Sequence, residues 1–136
     1  MKNSIQPFVL FMLVFQFPLV GQMCLPEGIH FTRQSQIDSF SILYPGCTEI
    51  GGDVCIGACQ GEEDSDITNL DGLMPLTSIK GKLNISNNYL LTSIEGLQNL
   101  SILEDDVKLK GNYKLSSLKG SGPGSVDEGI FYYSIE

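Results

Sequence analysis

Residues 67–90 read ITNLDGLMPLTSIKGKLNISNNYL, and residues 91–114 read LTSIEGLQNLSILEDDVKLKGNYK. Set one above the other they align at a period of 24, and LSSLKG from residue 115 opens a third copy. Ile67, Leu91 and Leu115 fall in register, as do Leu70, Ile94 and Leu118, and Gly72, Gly96 and Gly120. Leu73 matches Leu97, Leu76 matches Leu100, Ile79 matches Leu103, Leu83 matches Val107, and Ile85 matches Leu109. The pair Asn88 and Tyr89 matches Asn112 and Tyr113. A fixed period of about 20 to 29 residues around the pattern L-x-L-x-x-N marks a leucine-rich solenoid. Leu83, Ile85 and Asn88 carry that pattern once, and Val107, Leu109 and Asn112 carry it again. The two apolar residues of each strand point inward, and the asparagine turns inward to bond the backbone of adjacent coils. Each rung is covered only by the next, so none buries its face alone.

The same template finds a degenerate earlier rung in EIGGDVCIGAC, where Ile50, Val54 and Ile56 keep the spacing of Ile79, Leu83 and Ile85. Cys59 then stands at the asparagine position, which the template accepts. From Ile50 to Ile79 the interval is 29 rather than 24, and the surplus falls in GACQGEEDSD, expected as a surface loop. Upstream, FTRQSQIDSFSILYPGC predicts a short helix with Thr32 as its cap, Ile37, Phe40 and Tyr44 on one face, and Pro45 and Gly46 as its stop. Residues 22–49 thus read as an N-terminal cap with a helix, and residues 50–120 as solenoid. Residues 121–136 read as an irregular tail in which 130–135 could add a last strand.

The first residues, MKNSIQPFVLFMLVFQFPLVGQMC, place one lysine before an apolar run from Phe8 to Val20. This is the outline of a secretory signal peptide over residues 1–21, and the run is too short for a stable membrane-spanning helix. Removal of the signal leaves about 114 residues, enough for one core. The formal net charge of -8 becomes -9 when Lys2 leaves, and such a chain repels nucleic acid and anionic membranes. Cys24, Cys47, Cys55 and Cys59 form an even set behind a signal peptide, the pattern of disulfides made in an oxidising compartment. Of the three pairings, Cys24 with Cys47 brackets a compact segment and leaves Cys55 with Cys59. Residues four apart in an extended strand lie about 13 Å apart, so Gly57 and Ala58 must turn the chain for the second bridge. Without that turn Cys59 would stay a buried thiol in the asparagine ladder.

Several constellations invite a chemical reading. Glu62, Glu63, Asp64 and Asp66 offer oxygen ligands for calcium but lack the spacing of an EF-hand, so a solvated loop is the simpler account. Asp53, Lys82 and Asp106 share one repeat position. The two aspartates, two rungs apart at about 4.8 Å per rung, would approach the carboxylate spacing of an inverting glycosidase. The lysine between them argues for mutual screening instead. His30 reads as an exposed residue of the cap, and no zinc set or activated serine accompanies it. Asn84 and Asn99 begin the sequons NIS and NLS, relevant only in a glycosylating host. No cofactor is implied.

CLPEGIHFTRQSQIDSFSILYPGCTEIGGDV followed by DITNLDGLMPLTSIKGKLNISNNYLLTSIEGLQNL resembles the secreted leucine-rich proteins of the receptor L-domain type found in bacterial surface and exported proteins. The resemblance covers roughly residues 24–120. It implies a mainly β, short right-handed solenoid, exported and used for binding or adhesion, with no catalytic residues. The expected function is a non-enzymatic recognition module for a protein or glycan at the cell surface, with no stable insertion in a membrane. The outward residues Asn84, Ser86, Lys108 and Lys110 form its candidate binding face. The alternatives are a carbohydrate-active solenoid enzyme using Asp53 and Asp106, or a shortened relative with no role of its own.

Overall fold

The computed structural model describes residues 21–61 and 64–115, together with the backbone of residues 131–134. The expected signal peptide, except Gly21, and most of the expected tail lie outside these residues. Among the described residues, nine strands form two sheets whose neighbours all pair in parallel. The smaller sheet orders β1 (Gln22–Cys24), β3 (Cys47–Ile50), β5 (Ser78–Ile79) and β7 (Ile102–Leu103). The larger orders β2 (Ile29–Phe31), β4 (Val54–Gly57), β6 (Leu83–Ser86), β8 (Val107–Lys110) and β9 (Phe131–Ser134). The chain therefore adds one short strand to each sheet per circuit. It returns through helices α1 (Gln34–Asp38) and α2 (Phe40–Leu43) in the first circuit, and through 3₁₀ turns at Asp71–Leu73 and Glu95–Leu97 in later ones.

Register follows from burial. Ile29, Val54, Leu83 and Val107 are successive partners across the larger sheet, and Phe31, Ile56, Ile85 and Leu109 form a second such row. Both rows face the core, which continues through Ile50 and Ile79 of the smaller sheet and Leu70, Leu73 and Leu97 of the third side. A one-residue slip would send these apolar rows to solvent, so burial fixes the pairing.

The residues 24 apart thus meet as neighbours: Leu83 pairs with Val107, and Ser78 with Ile102. Tyr89 and Tyr113 stack at 5.7 Å between ring centroids. Asn88 is fully buried; its Nδ2 donates to the Ile56 carbonyl at 2.9 Å, while Asn112 Nδ2 donates to the Ile85 carbonyl at 2.8 Å. Asn112 Oδ1 accepts the Asn88 amide at 3.1 Å. The corresponding Asn88 Oδ1 has no partner. Its reason lies in the preceding circuit, where Cys59 replaces asparagine and its amide is turned to the Gly57 carbonyl at 3.0 Å. The ladder ends where the inserted loop begins.

Gly72 and Gly96 fall where circuits touch backbone to backbone. A Cβ on Gly96 would collide with the Leu70 carbonyl, and one on Gly72 with that of Ile37. Neither obstacle can rotate away. Gly96→Ala is therefore expected to lower the unfolding free energy by about 2 kcal/mol, the cost of overpacking a fixed interface. A urea midpoint equal to that of the unaltered chain would contradict this close approach.

The helix cap changes, and the two ends gain strands. Residues 22–49, expected as a cap clamped by a disulfide, also supply β1 and β2, which pair with β3 and β4. Thr32 does not cap the helix: Arg33 holds the N-cap position, and Gln36 Oε1 reaches back to accept the Arg33 amide at 2.9 Å. Asp66 from the next circuit accepts the Gln34 amide at 2.7 Å, satisfying one of the helix's open donors. One member of the acidic run is thereby committed to this contact. Within residues 121–136, where the sequence left a last strand over 130–135 open, β9 pairs with β8 at the same separation of 24, Val107 with Phe131.

Candidate binding face

Between the two buried rows of the larger sheet runs an outward row: His30, Cys55, Asn84 and Lys108 are register partners on β2, β4, β6 and β8. Strand alternation dictates this, because each lies between two inward residues. At about 4.8 Å per strand the row spans roughly 14 Å. It differs in chemistry along its length, from an imidazole through a disulfide and an amide to an ammonium group.

The disulfide gives the face its relief. Gly57 ends β4 with φ +98°, a left-handed turn that brings Cys55 and Cys59 to 6.2 Å between Cα atoms, where they are bridged. The loop is braced further by Asn87, whose Nδ2 donates to the Ala58 carbonyl at 2.9 Å. Two hollows result. One, of about 470 Å³, is lined by His30, Cys55, Cys59 and Gln60 with Glu27 and Asp53 at its margin. The other, of about 340 Å³, holds Lys82, Lys108, Lys110 and Asp106. Lys82 and Asn84 border both.

The four residues expected on this face do not share one environment. Lys108 and Lys110 are exposed, and Asn84 is half-buried. Ser86, expected outward and accessible, is only 3% exposed and donates its hydroxyl to Asn84 Oδ1. The Gly57–Gly61 loop explains the difference: Gly57 is the register partner of Ser86, and Ala58, bonded to Asn87, is itself buried. His30 is also displaced from its expected role, being half-buried on β2 with Nε2 at 2.8 Å from the Gly57 carbonyl. Its place could have been found by extending the apolar pair Val54 and Ile56 back to Ile29 and Phe31.

Asp53, Lys82 and Asp106 do stack as the spacing predicts. Asp53 Oδ1 accepts the Lys82 amide at 2.8 Å, and Lys82 Nζ lies 3.8 Å from Asp106 Oδ2. Asp53 is thus engaged in backbone capping, and Lys82 separates it from Asp106. Asn99, the second sequon asparagine, is exposed and donates to the Met74 carbonyl at 2.9 Å.

A second ladder lies at the edge of the smaller sheet, where Lys80 Nζ meets Glu104 at 2.5 Å and Glu49 at 3.9 Å. The hydrogen bond with Glu104 holds the Lys80 ammonium above its usual 10.5, desolvation opposes this, and the charges of Glu104 and Glu49 add to the rise. Because the folded value exceeds the unfolded one, this contribution to stability is complete below the unfolded value and is lost as pH rises through the raised one. Lys80→Met is expected to flatten the alkaline limb of the Tm curve above about pH 10.5. Parallel limbs for the two proteins would contradict it.

Cys24 and Cys47 are bridged at a Cα separation of 5.7 Å, joining β1 to β3. No helix among the described residues is long and apolar enough to cross a membrane. No curated protein and no solved structure matches the chain. A family model described as the receptor L domain matches residues 46–120, more than half of the 136. That span holds β4, β6 and β8, three of the four strands that present the outward row. By this match the chain, with its two parallel sheets, belongs to the receptor L domain family.

Proposed function

We propose that this protein is an exported, non-enzymatic recognition module that binds a protein ligand through the outer face of its larger sheet. The observation that carries the reading is the outward row from His30 to Lys108, which flanks two open hollows on one rigid sheet. A backbone already fixed in parallel strands needs no ordering on binding, so such a face recognises a partner at lower entropic cost than a loop would. Receptor L domains bind protein ligands, which supports a protein partner ahead of a glycan. One strand added to each sheet per circuit supports a leucine-rich solenoid, right-handed by the general hand of parallel crossovers, with α1 and α2 covering the first circuit. Two disulfides support passage through an oxidising compartment, hence a secreted or cell-surface location.

The test is a binding screen of the purified, disulfide-intact chain against panels of extracellular proteins and of glycans. Saturable binding to a protein is expected. Binding confined to glycans, or turnover of a polysaccharide lost in Asp106→Ala, would replace this reading with the glycan or enzyme alternative.

A further inference from the structure

His30, Cys55 and Cys59 each bring one ligand atom within 4.8 Å of the others, on the floor of the larger hollow. They come from adjacent strands and the turn that follows, because His30 is the register partner of Cys55 and Gly57 folds Cys59 back over it. We propose that this cluster is a redox-gated metal site: the Cys55–Cys59 disulfide closes it, and its reduction opens a two-thiolate, one-imidazole set for Zn²⁺ or a similar divalent cation.

The chemistry balances with a thiol reductant. One reductant thiolate attacks the Cys55–Cys59 bond, forming a mixed disulfide and releasing one cysteine thiolate. A second reductant thiol displaces the other cysteine, so the protein gains two electrons and the reductant leaves as its disulfide. Metal binding then releases the two thiol protons, since thiolate is the ligand form. Zinc bonds of about 2.3 Å to sulfur and 2.0 Å to nitrogen put ligand atoms about 3.5 to 3.8 Å apart in a tetrahedron. Side-chain rotation must bring the imidazole about 1 Å closer from the 4.8 Å limit and let the two sulfurs, no longer bonded, part to about 3.8 Å. The fourth position opens to the hollow, beside Glu27 and Asp53.

Two features make the switch local. Cys55 and Cys59 are both half-buried and line the hollow, whereas in the other bridge Cys24 is half-buried and Cys47 is 3% exposed. A reductant in solution can therefore attack either sulfur of the Cys55–Cys59 bond but only one of the Cys24–Cys47 bond. The turn that positions Cys59 does not depend on the bridge alone: the Asn87–Ala58 bond at 2.9 Å and the Cys59 amide to Gly57 carbonyl bond at 3.0 Å both survive reduction. His30 is held beside the same turn by the Gly57 carbonyl. Reduction thus leaves ligands already gathered, as a metal site requires.

The experiment titrates Co²⁺, as a spectroscopic stand-in for zinc, into the full processed chain before and after mild thiol reduction without oxygen. Mass mapping of alkylated thiols should show Cys55 and Cys59 freed while Cys24 and Cys47 stay bridged. The oxidised protein should give no thiolate-to-cobalt absorption. The reduced protein should take up one equivalent with that band and with tetrahedral visible bands. Loss of an outer-shell partner alone weakens metal sites about 10- to 100-fold, so His30→Ala should weaken cobalt binding at least tenfold in the reduced chain. His30 lies outside the buried core, so this variant tests the site even where Cys55→Ser does not fold. Release of all four cysteines together, absence of the thiolate band after reduction, or unchanged affinity in His30→Ala would each overturn the proposal.

Discussion

Asn88→Ala is expected to lower the free energy of unfolding by about 3 kcal/mol, against about 1 kcal/mol for Asn112→Ala. The two asparagines share a repeat position but not an environment. Asn88 is fully buried, and its Nδ2 serves both the Ile56 carbonyl and Asn112 Oδ1. Removing it orphans a carbonyl in the core, worth about 1–3 kcal/mol, and leaves a small cavity besides. The loss of its own unpartnered Oδ1 offsets part of this. Asn112 is only half-buried, so water can replace what its side chain gave. Urea unfolding of both variants checks the contrast. Equal costs would mean that the asparagine ladder is not anchored at Asn88.

Replacing Cys24 and Cys47 together by alanine is expected to cost a similar amount, about 3 kcal/mol. The bridge closes a loop with a sequence separation of 23 and ties the outermost strand β1 to β3. Its loss frees the unfolded chain and leaves the buried Cys47 site underfilled. Hydrogen exchange should show β1 opening ahead of the remaining strands. Thermal unfolding at an unchanged Tm would show that β3 holds β1 without the bridge. The paired alanine variant also separates this bridge from Cys55–Cys59, whose shorter loop makes its removal less costly, about 2 kcal/mol.

The register of the middle circuits was legible because burial dictates it. Leu83 with Val107 and Ile85 with Leu109 are repeat matches in the sequence and strand partners in the structure. What was less legible is where one circuit departs from its neighbours. Ile29 and Phe31 form the same apolar pair as Val54 and Ile56, but the first circuit carries a helix and no asparagine, and so reads as a cap. Ser86 alternates correctly for an outward residue, yet it is buried by a loop whose course depends on Gly57 and a disulfide two strands' worth of sequence earlier. Periodicity describes what each circuit has in common with the next. An insertion such as GACQGEEDSD acts across circuits, and no pattern within one circuit records it.

The candidate face follows the same division. Asn84, Lys108 and Lys110 could be read from strand alternation alone. His30 is placed only once Ile29 and Phe31 are matched with Val54 and Ile56, and the hollow beside it is lined by both cysteines of the Cys55–Cys59 turn. The chemistry varies along the outward row, and its exposed end at Lys108 is held by no buried contact, which is why recognition is proposed there.

That assignment is tested most directly by surface plasmon resonance with the strongest protein binder from the screen, comparing the unaltered chain with Lys108→Glu and Ser41→Arg. Both positions are exposed, Lys108 on the outer face of the larger sheet and Ser41 on α2. Lys108→Glu should weaken binding at least tenfold, about 1.4 kcal/mol, while Ser41→Arg leaves it within about twofold. Unchanged affinity in Lys108→Glu together with loss in Ser41→Arg would contradict the account and move the recognition surface to the helical side.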